Sequence, residues 1–240
     1  MRSFLSLKLL LFFFLLVISS SCSTRTISTD KISESLTSEL SQFSKQEPLP
    51  APNLKLKELE IQKWVSKYNG DQKVFVGDSM NRLSKYHDTI SFIFDYFGLP
   101  QELKMLAAVE SRFISNAKNS SSGAYGMWQF MPETAKELGL EVSYLRDERA
   151  DVVKSTIAAA RFLRRLYNEF YSWELALASY NRGQYGVLRT MKTHGTTDFY
   201  ELARARNLPG ETINFVYKVY ALMYIYSNYS EINQFAKKID

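Results

Sequence analysis

The chain has 240 residues, 45% of them hydrophobic and 14% aromatic, enough for one ordinary domain with a real core plus flanking segments. Its net charge of +5 and pI of about 9.1 are mildly basic, but no dense Lys/Arg stripe interleaves with aromatics, so nucleic acid is not expected as a partner. With two histidines, one cysteine and no HExxH or EF-hand spacing, neither a metal site nor a cofactor is expected.

In chain order, residues 1–21 read as a signal peptide. Arg2 and Lys8 supply positive charge, Leu9 to Ile18 is a short apolar run, and Ser19, Ser20 and Ser21 lead into the sole cysteine, Cys22. The arrangement resembles a bacterial lipoprotein signal, in which this cysteine becomes the lipid-bearing N-terminus; Ser19 stands where Leu is usual. The resemblance implies a chain lipid-anchored to a membrane of the bacterial envelope, the outer membrane on its periplasmic side being expected. Residues 22–53 are rich in Ser and Thr, close with Gln-Glu-Pro-Leu-Pro-Ala-Pro-Asn, and are expected to form a flexible tether with a short helix near Ile32 to Phe43.

Residues 54–78 read as a helical extension, with Leu56, Leu59, Trp64, Val65 and Tyr68 on one face and Asn69-Gly70 closing it. The main domain is expected over 79–228, followed by a tail over 229–240. Ser79 to Tyr96 reads as one helix, stopped by Gly98-Leu99-Pro100. Gln101 to Ile114 reads as the next, with Leu103, Leu106, Ala107, Glu110, Phe113 and Ile114 on one face. Glu110 is the anomaly of that stripe, a carboxylate where a hydrophobe is normal, and its helical neighbours Leu106, Ala107, Phe113 and Ile114 include no Lys or Arg to neutralise it. Burial of an unpaired carboxylate is met by a raised pKa, which suits a general acid. Pairing with a cation brought in by the fold, or solvation on a rotated helix, remains open at this level.

Ser115 to Met131 is a loop by composition. Pro132 opens a helix that Gly139 closes, Val153 to Phe170 is a strong helix, and Trp173 to Tyr180 is another, ending at Asn181 and Gly183. Leu208-Pro209-Gly210 precedes the last helix, Glu211 to Tyr226. Alternating patterns are scarce, so a mainly α fold with little or no sheet is expected.

Four segments, Val109-Glu110-Ser111-Arg112-Phe113, Gly126-Met127-Trp128-Gln129-Phe130-Met131-Pro132, Ser179-Tyr180-Asn181 and Leu208-Pro209-Gly210-Glu211-Thr212, resemble in order and spacing the catalytic domain of soluble-type (SLT) lytic transglycosylases, and within them the membrane-bound lytic murein transglycosylase D group. The resemblance covers residues 80–225. It implies a lysozyme-like helical domain with a cleft for peptidoglycan glycan strands, cleaved at the MurNAc–GlcNAc β-1,4 bond to leave 1,6-anhydroMurNAc ends. Glu110 would serve first as acid and then as base, with the Ser111 hydroxyl on its carboxylate. Met127, Gln129, Phe130, Tyr180 and Asn181 would contact substrate. Taken alone, Gln129 reads as a loop residue, Tyr180 as a core aromatic, and Trp128 and Phe130 as either core or sugar-stacking rings.

A second matched carboxylate is not singled out among Glu133, Asp147, Asp151 and Glu211. The chain also departs from the family pattern: Tyr185 occupies a position where glycine is expected, Phe215 replaces a tyrosine, and Tyr217 replaces a common proline. A hydrolase on the same scaffold, of goose-type lysozyme or chitinase kind, and a non-catalytic peptidoglycan-binding protein are the alternatives.

Overall fold

The computed structural model describes residues 36–55 and 58–236, with side chains to residue 228. The signal segment and Cys22 lie outside the described residues. Residues 36–40 form a short helix, and in the turn after it the Ser41 hydroxyl donates to the Ser38 carbonyl at 2.7 Å.

From residue 45 onward the chain is a mainly α unit, with only isolated bridges among the described residues. The α-helices are α1 (Leu59–Asn69), α2 (Lys73–Leu83), α3 (His87–Tyr96), α4 (Met105–Ser111), α5 (Pro132–Glu137), α6 (Val152–Phe170), α7 (Trp173–Arg182), α8 (Gln184–His194), α9 (Phe199–Arg204) and α10 (Gly210–Ala236). Short 3₁₀ turns cover Gln101–Lys104 and Glu148–Ala150.

Helix starts follow local chemistry. Asp151 caps α6 by accepting from the Lys154 amide at 3.0 Å, Ser172 caps α7 through the Leu175 amide, and Asp198 caps α9 through the Tyr200 and Glu201 amides. Pro132 sits in the first turn of α5, where its missing N–H is no loss. α6 ends at Tyr171 in the left-handed conformation, φ 49°.

The core is organised around α10, which packs on α1, α4 and α7, while α6 packs on α7 and α3. Val216, Val219, Tyr220, Ala221, Leu222 and Met223 of α10 are all buried, so its apolar surface is broader than one stripe, with Glu211, Asn214 and Lys218 left on a polar line. α4 is likewise interior: Met105 and Ala108 are buried along with Leu106 and Ala107, so the expected one-sided stripe does not hold.

Boundaries differ from expectation in ways the chemistry explains. The segment read as one helix from Ser79 to Tyr96 breaks over residues 84–86 into α2 and α3. The helix expected to reach Ile114 stops at Ser111, because Arg112 and Phe113 adopt φ 56° and 58°. Phe113 is thereby turned back into the core, 1% exposed. The last helix continues past residue 228 to Ala236.

Residues 46–50, within the span read as tether, are hydrogen-bonded to the domain. The Gln46 and Leu49 amides donate to the carbonyls of Tyr96 and Gly98 at 2.9 and 2.8 Å. Arg164 donates to the Glu47 and Phe97 carbonyls, and the Trp173 indole donates to Pro50 at 2.7 Å. Gly98, at φ 62°, makes this approach possible, since a Cβ there would meet the Glu47 carbonyl.

Candidate functional site

Glu110 lies one residue from the end of α4, just before the left-handed turn at Arg112 and Phe113. That turn separates Glu110 from the continuation of a helix and turns Phe113 into the core. The carboxyl is half-buried, opening on a cleft of about 310 Å³, and makes no hydrogen bond or ion pair among the described residues. Surrounding protein withholds the water that would stabilise the charged form, and this desolvation raises its pKa to about 8. Neither of the bland alternatives, a cationic partner or full solvation, is what the fold provides.

The cleft roof is the long loop between α4 and α5, and its shape rests on a buried cation. The Arg149 guanidinium donates at 2.9 Å to the carbonyls of both Gly123 and Phe130. Asp147 holds the other side of that guanidinium at 2.9 and 2.7 Å, and Arg149 keeps the Asp147 carboxyl below its usual range. Asn119 orders the loop tip by accepting from the amides of Ser121 and Ser122. Gly126, at φ 87°, is pressed against the Arg149 backbone so closely that a Cβ would collide with its carbonyl.

The residues singled out from sequence fall into three groups. Ser111 is buried and does not bond Glu110: its hydroxyl donates to the Met127 carbonyl at 2.7 Å, with the Ala107 carbonyl at 3.3 Å. A hydroxyl has one proton to give, so the expected bond to the carboxylate is replaced by a tie between α4 and the loop. Met127 and Trp128 are core residues, each 0% exposed, and neither lines the cleft. Trp128 stacks on Phe94 at 5.9 Å and donates to the Thr156 hydroxyl, which leaves no face for a sugar. Both still shape the site through their carbonyls, which accept from Ser111 and Tyr180.

Gln129, Phe130, Tyr180 and Asn181 do share the cleft with Glu110. Gln129, at φ 51°, spends its amide N–H groups on the Ala117 and Gly126 carbonyls at 3.1 and 2.7 Å. Two acceptors on that nitrogen fix the amide orientation, so Gln129 presents its oxygen, an acceptor. Phe130 packs with Phe162 and Tyr180, at 6.3 and 6.0 Å, as an aromatic wall. The Tyr180 phenol donates to the Trp128 carbonyl at 2.7 Å; burial first, and the Glu110 charge second, push its pKa well above the usual value. Its oxygen keeps lone pairs for a donor in the cleft. Asn181, in the last turn of α7, has no side-chain hydrogen bond among the described residues.

Sequence reasoning missed Phe162, Thr134, Met131 and Asn119 as cleft residues, and it left Glu211 undistinguished from other acids. Glu211, in the first turn of α10, is brought into the same cleft as Glu110. Its place beside Pro209-Gly210, within the fourth segment, was the available signal. Among the described residues no group of three or more His, Cys, Asp or Glu side chains could hold a metal ion.

Residues 95–203 match the family described as Transglycosylase SLT domain, spanning α4 to α9 with every cleft residue named above except Glu211. Over that stretch the chain is similar to SLT domains. Over 135 residues it is 39% identical to membrane-bound lytic murein transglycosylase D of Escherichia coli, covering 54% of this chain and 29% of that protein. Over 84 residues it is 42% identical to the peptidoglycan transglycosylase gp16 of Escherichia phage T7, covering 34% of this chain and 6% of that protein. The chain thus spans under a third of either relative. Lytic transglycosylase Slt of Pseudomonas aeruginosa, solved as an inactive mutant, superposes with a TM-score of 0.52 at 23% identity, over 61% of this chain and 24% of that one. That likeness establishes the lysozyme-like helical fold. Among the described residues no helix is long and apolar enough to cross a membrane.

Proposed function

We propose that this protein is a peptidoglycan lytic transglycosylase in which Glu110 is the single acid and base. One observation carries the reading: a carboxyl with no partner among the described residues opens on the aromatic cleft and holds its proton up to about pH 8. At neutral pH it is mostly protonated and can donate to the glycosidic oxygen as the C1–O bond breaks toward an oxocarbenium-like state. The resulting carboxylate then takes the proton of the MurNAc C6 hydroxyl, whose oxygen attacks C1 of the same sugar. Atoms balance without water, and the product is a 1,6-anhydro end. Attack within one residue gains from proximity, and the walls of Phe130, Phe162 and Tyr180 limit water near C1.

The remaining cleft residues receive supporting roles. The Gln129 oxygen suits an N-acetyl N–H or a sugar hydroxyl, Asn181 a sugar hydroxyl, and the Tyr180 oxygen is placed near Glu110 to accept from it or from the substrate. Ser111 positions Glu110 by fixing the end of α4 to the loop. Membrane attachment through a lipid on Cys22, in the bacterial envelope, belongs to the same proposal.

The reading is tested with Glu110→Gln, which keeps shape and removes the transferable proton. Positioned acid–base catalysis is worth roughly 10²–10⁴-fold, so release of fragments from purified sacculi should fall by at least that range. Near-wild-type release by the folded variant would refute the proposal. Hydrolysis is the second reading, and one observation favours it: Glu211 shares the cleft and could activate water. Under that reading Glu211→Gln loses the water-containing products; under ours the products stay anhydro.

A further inference from the structure

A second cavity of about 380 Å³, within the range of small-ligand sites, shares no lining residue with the cleft. It is walled by the helical extension on one side and by Val109, Arg112 and Lys218 on the other. Trp64, Tyr68 and Phe75 form a continuous aromatic platform, with centroids 5.6 Å apart at each step. Three cations rest on it: Lys67 and Lys218 lie 4.8 and 4.9 Å from the Trp64 ring, and Arg112 lies 5.2 Å from Phe75.

None of these three cations has an ion-pair partner among the described residues. The ring faces hold the charges in place while leaving their N–H donors free, an arrangement suited to an anion. Arg112 reaches the cavity from a left-handed backbone, a conformation disfavoured for a residue with a Cβ and maintained here at a cavity wall. Asp71 adds one carboxylate to the lining, which opposes a doubly charged phosphate more than a singly charged carboxylate and offers an acceptor to a neighbouring ammonium.

We propose that this cavity binds a free carboxylate of a peptidoglycan peptide arm, gripped by Arg112 and Lys218 beside the helix that carries Glu110. The proposal rests on the peptidoglycan reading above and deepens it. It gives the enzyme a contact with the peptide that is separate from the glycan cleft.

The test is a tryptophan-fluorescence titration of the full chain with a purified disaccharide-tetrapeptide, and with the same disaccharide lacking its peptide. Of the three tryptophans, Trp128 and Trp173 are buried, so Trp64 reports on the cavity. The peptide-bearing ligand should change emission saturably, and the peptide-free disaccharide should not. Arg112→Gln with Lys218→Gln should weaken the response at least tenfold, while Arg112→Lys with Lys218→Arg should retain it. Equal response to the peptide-free sugar, wild-type affinity in the double Gln protein, or an unchanged signal in Trp64→Phe would each overturn the proposal. Displacement by equimolar inorganic phosphate would do so too. Product analysis of wild-type digests is read separately: anhydro ends without a Trp64 response sink this inference alone, and a Trp64 response without cleavage sinks the catalytic reading alone.

Discussion

Replacing Glu110 by Gln should stabilise the protein while disabling it, and the stabilisation should depend on pH in a defined way. In the folded chain the carboxyl keeps its proton up to about pH 8, against an ordinary value of 4.5. Between these values the unfolded chain binds fewer protons, so wild-type stability is complete below 4.5 and falls as pH rises through 8. At 1.36 kcal/mol per unit, the penalty is about 1 kcal/mol at pH 5, about 4 at pH 7.5, and levels near roughly 5 above pH 8. These are upper figures, because the side chain keeps part of its surface in cleft water. Gln cannot ionise, so the difference in unfolding free energy between variant and wild type should grow by about 3 kcal/mol between pH 5 and 7.5. Urea denaturation at both values measures it, and a melting shift on the order of 5–10 °C should accompany it at the higher pH. Lys104, whose burial lowers its pKa to about 8, titrates in both proteins and cancels in the difference. A stability difference that is constant across this range would refute the desolvated-acid account even if the variant were inactive.

Other outcomes follow from the same geometry. Tyr180→Phe loses the 2.7 Å bond to the Trp128 carbonyl and the oxygen facing Glu110, so it should slow cleavage of sacculi and lower stability by about 1 kcal/mol; unchanged rates would make Tyr180 a packing residue. Gly126→Ala places a methyl group against the Arg149 carbonyl at φ 87°, and should lower stability and activity together, read by melting temperature and fragment release. Arg149→Met releases two loop carbonyls and leaves Asp147 unpaired. A loss of roughly 3–5 kcal/mol and a protease-sensitive loop over residues 119–130 are expected, whereas an intact loop would show that it is held by other contacts. Cleavage should fall as pH rises through about 8, where Glu110 loses its proton, and a flat profile from 6 to 9 in rate measurements would contradict its role as acid.

What could be read from the sequence was what local pattern controls. The apolar runs around Glu110 and from Val153 to Phe170 gave helices, and Pro132 and Gly183 punctuated them as capping chemistry requires, while the Asp151 cap was not read. The stop at Ser111 was hidden because Arg112 and Phe113 are ordinary helix residues, yet both adopt positive φ where Phe113 enters the core. The break between α2 and α3 carries no Gly or Pro. α8 and α9 are amphipathic only in short stretches and were passed over.

At the site, the four family-like segments named Glu110, Gln129, Phe130, Tyr180 and Asn181, which the fold gathers in one cleft. Met127 and Trp128 looked the same in sequence, yet they point to the core and contribute carbonyls instead. Ser111 was matched to the wrong acceptor because hydrogen-bond direction is set by the loop that folds over it. The partnership of Arg149 with carbonyls 19 and 26 residues away could not be inferred from spacing.

The central claim is that one glutamate carries a proton out and back while the sugar's own hydroxyl closes the ring. Mass spectrometry of the muropeptides released from purified sacculi by the wild-type protein tests it most directly. Saccharide ends lighter by one water than their reducing counterparts, with no incorporation of heavy oxygen from labelled solvent, are the result this account requires. Reducing ends carrying solvent oxygen would contradict it and give the cleft to hydrolysis.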